Sequence, residues 1–139
     1  MPMRSIRILK RPSRAILLAA ALSGTTLAGS LVAAELGMLD TLRKGSWDVR
    51  DRDTGAHSKI CVRSGPELVQ LRHRGLGCER LVVDDKAANV TVQYTCRGQG
   101  YGHTEIRKES DRLVQIHTQG IEGSRPFDIT AEARHVGSC

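Results

Sequence analysis

Val90-Thr91-Val92-Gln93-Tyr94-Thr95-Cys96 alternates without a break. In an extended chain successive side chains point to opposite sides, so Val90, Val92, Tyr94 and Cys96 share one face and Thr91, Gln93 and Thr95 the other. This is the pattern of a half-buried strand, and it turns Cys96 inward. Upstream, Glu79 to Asp84 reads as a partner strand with Leu81 and Val83 on one face, and Asp84-Asp85-Lys86-Ala87 supplies the turn between them. Downstream, Gly98-Gln99-Gly100 turns into a hairpin.

The pattern of that hairpin predicts a register. With Glu109-Ser110-Asp111 as the loop, Ile106 faces Val114 and Thr104 faces Ile116, all pointing inward. Tyr101, His103, Glu105 and Arg107 then share the outer face with Leu113, Gln115, His117 and Gln119. A last strand, Phe127 to Val136, turns Phe127, Ile129, Ala131 and Ala133 inward. Before the central strand, Trp47 to Asp51 and Ser58 to Val62 alternate around a turn at Asp53-Thr54-Gly55, with Trp47, Val49, Ile60 and Val62 inward and Cys61 outward. One helix signal stands between. Ser64-Gly65-Pro66-Glu67 has the form of a capping box with Pro in the first turn, Leu68, Val69 and Leu71 make an apolar stripe, and Gly75 is a stop. The expected fold is mainly β: an antiparallel meander forming a small half-barrel or sandwich, with one short helix and two disulfides.

The two ends of the chain differ in character. Residues 1–34 carry Arg4, Arg7, Lys10, Arg11 and Arg14 and no acid, then the apolar run Ala15 to Leu22, then small residues ending in Val32-Ala33-Ala34. This is the three-zone form of a secretory signal peptide, with cleavage expected after Ala34 and a mature domain over 35–139. Ser23, Gly24, Thr25 and Thr26 break the apolar run, which argues against a membrane-spanning anchor. The remaining 16 Lys and Arg face all 15 Asp and Glu, so the formal charge of +6 resides mainly in the leader. A domain so nearly neutral has little with which to displace counterions, and nucleic acid is not an expected partner.

Cys61, Cys78, Cys96 and Cys139 all follow the leader, at spacings of 17, 18 and 43 that contain no C-x-x-C metal clamp. In a small exported domain they read as two disulfides, periplasmic or secreted. The pairing expected from loop closure is Cys61–Cys78 with Cys96–Cys139, each contributing about 3–4 kcal/mol.

Gly45-Ser46-Trp47-Asp48-Val49, Cys61 followed by Pro66-Glu67, Cys78, Tyr94-Thr95-Cys96 and Gly137-Ser138-Cys139 together carry a likeness. In their order and four-cysteine frame they resemble the bacterial exported family called domain of unknown function 3617, over most of the mature domain. The last strands depart from that family in having few Met and aromatic residues. The resemblance implies a periplasmic location and no established activity.

Residues with chemical potential are few. His103 and His117 face each other in the register above, with Glu105 on the same face, and could hold Zn²⁺ or Cu²⁺; this gives the alternative of a periplasmic metal-handling or sensing protein using surface histidines. His57, His73 and His135 read as surface residues. Arg72, Arg74 and Arg80 cluster with His73 around Cys78 and could meet an envelope lipid or an acidic protein partner. Arg97 to Gly102 is glycine-rich but joins strand to strand, with no helix N-terminus to receive a phosphate. No nucleophile–base–carboxylate set is legible, so no catalytic residue and no cofactor are assigned. The leading expectation is a non-enzymatic binding or interaction module of the cell envelope, not an integral membrane protein.

Overall fold

The structure is a computed structural model that describes residues 36–139. The expected leader and its cleavage after Ala34 lie outside the described residues. After a single helical turn, α1 (Gly37–Asp40), come seven strands: β1 (Gly45–Asp51), β2 (His57–Val62), β3 (Glu79–Asp85), β4 (Asn89–Cys96), β5 (Gly100–Ser110), β6 (Leu113–Glu122) and β7 (Arg125–Gly137). They form one open antiparallel sheet in the order β2-β1-β7-β6-β5-β4-β3. β3 to β7 is the meander, and the β1–β2 hairpin joins it on the far side of β7. The chain is mainly β, with one sheet and not the two of a sandwich.

Alternation sets the faces. Val90, Val92, Tyr94 and Cys96 of β4 are buried, as are Trp47 and Val49 of β1, Ile60 and Val62 of β2, Ile106, Val114 and Ile116 of the β5–β6 hairpin, and Ala131 and Ala133 of β7. Phe127 and Ile129 are only half-buried. Leu81 and Val83 do share a face, but it is the outer one of an edge strand, and they are 64% and 57% exposed.

What covers the inner face comes from outside the sheet. Leu36, Met38, Leu39 and Leu42 around α1, and Leu68 and Val69 from the β2–β3 connection, complete the core. α1 is held by Asp85, whose carboxylate accepts the N–H groups of Gly37 (2.7 Å) and Met38 (3.2 Å). The indole N–H of Trp47 donates to the Arg43 carbonyl at 2.8 Å. A glycine of β5 makes room for this core: a Cβ at Gly102 would overlap the ring of Tyr94, its partner on β4, so glycine lets the phenol lie across the strand.

The helix expected from Ser64 shrinks to a 3-10 turn at Pro66–Leu68. The connection then runs as separate turns, each closed over three residues: Leu68 N–H to Gly65 O, Val69 to Pro66, His73 to Gln70 and Leu76 to His73. An α-helix would need the Val69 carbonyl for the His73 N–H, but Thr104 Oγ1 of β5 donates to it at 2.7 Å. Docking on the sheet outcompetes a helix too short to persist alone.

The disulfides are Cys61–Cys139 and Cys78–Cys96, which corrects the expected Cys61–Cys78 and Cys96–Cys139. Strand geometry decides the pairing, not loop length. Glu79 pairs with Thr95, so Cys78 and Cys96 are the next opposed pair of the same ladder, with Cα atoms 4.3 Å apart. Cys61 points outward from β2; Ser46 of β1 pairs with both Cys61 and Gly137, so the tail beyond β7 reaches Cys61 across one strand.

Candidate functional site

The β2–β3 connection that covers the sheet also leaves a cleft of about 530 Å³ between itself and the edge strands, with Ile60 of β2 on one side and Arg80 of β3 on the other. Pro66 and Leu76 add apolar surface, and Arg74 joins Arg80 at the rim. Of the basic residues singled out in the sequence, Arg74 and Arg80 therefore line one cleft. Arg72 does not: it forms a 2.8 Å ion pair with Glu122 of β6.

Arg80 is held from beneath. Its Nε and Nη2 donate to Gln70 Oε1 at 2.9 and 2.6 Å. Gln70 is itself only 4% exposed, and its amide nitrogen donates to the carbonyls of His73 and Leu76, both at 3.2 Å, and lies 3.0 Å from Cys78 Sγ. The disulfide, the loop and the guanidinium thus share one buried hub. Glu67, the one carboxylate lining the cleft, plays no part in this hub and instead accepts the N–H groups of Arg63, Ser64 and Gly65. Burial, the largest single influence, raises its pKa. The backbone N–H groups together outweigh burial and hold the carboxyl below its ordinary value.

Deeper under the same connection lies a polar network that the sequence did not announce. His73, expected at the surface, is 2% exposed. Its Nδ1 lies 3.1 Å from Tyr94 Oη and its Nε2 3.2 Å from the Gln99 carbonyl, so Nε2 carries the proton to the carbonyl and Nδ1 accepts the phenol. The ring stacks edge-on against Tyr94 and Phe127. Burial pushes the Tyr94 hydroxyl above the ordinary phenol value; a hydrogen bond with Thr118 opposes this and the Glu122 charge adds to it. Thr104 and Thr118 bond to each other at 2.6 Å. The group is satisfied throughout and serves to anchor the connection. The legible clue was the odd histidine within an otherwise apolar stripe, Leu68-Val69-x-Leu71-x-His73.

No family model, no curated protein and no solved structure matches the chain. Its own geometry therefore carries the functional reading.

On the outer face, the β5–β6 register is offset by two residues from the expected one. Ile106 pairs with Ile116 and Thr104 with Thr118, because the turn lies at Asp111-Arg112 and a bulge between Lys108 and Ser110 takes up the odd residue. His103 consequently faces Gln119, and His117 faces Glu105. His117 Nε2 meets Asp128 at 2.9 Å, and His103 lies 3.6 Å from Glu105. Among the described residues no three His, Cys, Asp or Glu side chains gather as a metal-binding group. His57 is exposed beside Asp48 at 2.9 Å, whereas His135 is half-buried, edge-on to Trp47. Among the described residues no helix is long and apolar enough to cross a membrane.

Proposed function

We propose that this chain is a small exported protein of the cell envelope, acting as a non-enzymatic binding module whose ligand enters the cleft between β2, β3 and their connection. The cleft is the observation that carries the reading: it combines apolar surface with two cationic side chains, one of which, Arg80, is fixed by a buried glutamine that also meets the Cys78 sulfur. Binding rather than acid–base chemistry is favoured because its one carboxylate is committed to backbone N–H groups.

Export is supported by the basic, apolar and small-residue zones of residues 1–34 and by two disulfides, which persist in oxidising compartments. The ordered motifs and four-cysteine frame support kinship with the exported domain of unknown function 3617 proteins.

The test is to express the full chain, isolate it from the periplasm and compare it with Gly77→Trp by native mass spectrometry. Gly77 lines the cleft and a Cβ there meets nothing within 4 Å, so a bulky side chain can start from this position without a clash at its Cβ. The expected result is a leaderless, fully oxidised protein carrying a small ligand that the variant has lost. Cytosolic protein with free thiols contradicts export; equal ligand occupancy in both forms contradicts the cleft.

A further inference from the structure

We infer that the cleft recognises an amphiphilic anion, with a carboxylate or phosphate headgroup against Arg74 and Arg80 and a short alkyl chain along Ile60, Pro66 and Leu76. This rests on the cleft being the binding site and names the chemistry it takes.

The charge is unbalanced where the ligand would sit. Arg74 and Arg80 have no carboxylate within ion-pair distance among the described residues, while Arg72, only two residues from Arg74, is neutralised by Glu122. Glu67 lines the same cleft but turns its oxygens to the backbone. Arg80 is also pre-oriented. Gln70 takes Nε and Nη2 on a single oxygen, which leaves Nη1 with its two N–H donors for a ligand. A guanidinium fixed in advance loses little freedom when it meets an anion.

Beside this charge the cleft also presents apolar surface, from Pro66 and Leu76 and the almost fully buried Ile60. Leu76, 40% exposed and lining the cleft, offers aliphatic surface that a hydrocarbon chain can cover. A neutral apolar ligand would leave two cations unpaired at the rim, and a bare inorganic anion would leave the wall uncovered. A single molecule bearing both features satisfies both. A volume of about 530 Å³ suits a ligand of that modest size.

The exported protein, with its disulfides intact, is titrated calorimetrically with decyl phosphate, decanoate, uncharged decyl glucoside and inorganic phosphate, each below any micelle-forming concentration. The expected result is saturable binding of at least one anionic amphiphile, with inorganic phosphate and the glucoside each about tenfold weaker or more. The stronger of decyl phosphate and decanoate identifies the headgroup. Arg74→Gln and Arg80→Gln each weaken the anionic probe by about tenfold to a hundredfold, the worth of a charged hydrogen bond. Gly77→Trp abolishes binding. Arg80→Gln also releases Gln70, whereas Arg74 has no hydrogen-bond or ion-pair partner among the described residues, so Arg74→Gln separates binding from folding. Decyl glucoside binding as tightly as the anions, yet lost in Gly77→Trp, refutes the headgroup and leaves the cleft standing. Inorganic phosphate binding as tightly as decyl phosphate refutes the apolar half. Binding of no probe refutes the amphiphilic anion, and binding indifferent to Gly77→Trp refutes the cleft itself.

Discussion

The inner and outer faces of this one sheet use the same residue types to different ends. On the inner face His73 makes two hydrogen bonds and two edge-on ring contacts beneath the β2–β3 connection. On the outer face His117 makes one bond, to an Asp128 side chain that is 65% exposed. The disulfides divide in the same way. Cys78–Cys96 extends the β3–β4 ladder from a buried Cys96, whereas Cys61–Cys139 ties the chain's end back across the outside of β1. Burial makes the inner contacts worth more, since an orphaned polar group there has no water to turn to. The outer face contributes most through a covalent tie, whose effect grows with the chain it encloses.

The largest expected effect tests that last point. Cys61→Ala/Cys139→Ala opens a loop spanning 78 residues and Cys78→Ala/Cys96→Ala one spanning 18, so the first pair should cost about 4.5 kcal/mol and the second about 3 kcal/mol in urea unfolding. The reverse order would show that inner-face strain or packing, and not chain entropy, governs the staples.

Tyr94→Ala should follow, at about 3–5 kcal/mol, because it empties the space above Gly102 and strands His73. Tyr94→Phe keeps the ring and isolates the hydrogen bond, for about 1–3 kcal/mol in the same assay. A Phe variant as stable as the parent would mean that the buried network contributes packing alone.

Glu67→Gln sharpens the comparison at the edge of the covering segment, at about 1 kcal/mol near neutral pH. The folded-state pKa of Glu67 is depressed, so its contribution is fully present above the ordinary value of 4.5 and is lost as pH falls through the folded value. An acid unfolding series should therefore show a steeper loss below pH 4.5 in the parent than in Glu67→Gln. Parallel curves would remove the cap from the account. The smallest effect belongs outside: His117→Ala should change stability by no more than about 0.5 kcal/mol, as measured by thermal unfolding, because its ion pair is solvated.

Much of the strand content was readable because period-two alternation depends only on neighbouring residues. β1, β2 and β4 lie where the pattern put them, and Trp47, Ile60, Val62 and Val92 are buried as expected. The hairpin kept its inward and outward residues despite the register offset, since a slip of two preserves the face. It did not keep its cross-strand partners, and so the pairing of His103 with His117 was lost. The candidate site was half legible. Arg74 and Arg80 were visible as a basic cluster, but Gln70 beneath Arg80 and Glu122 beside Arg72 were not.

From the residues alone came the strand faces, the outward turn of Cys61, the inward turn of Cys96 and the concentration of charge in the first 34 positions. Those properties are local, set by backbone alternation and composition. The disulfide partners, the collapse of a capped helix into isolated turns, the burial of His73 and the cleft itself were decided only when β1 and β2 joined β7 and the β2–β3 connection settled on the sheet. Each depends on which distant groups compete for the same carbonyl, thiol or guanidinium, and that competition exists only in three dimensions.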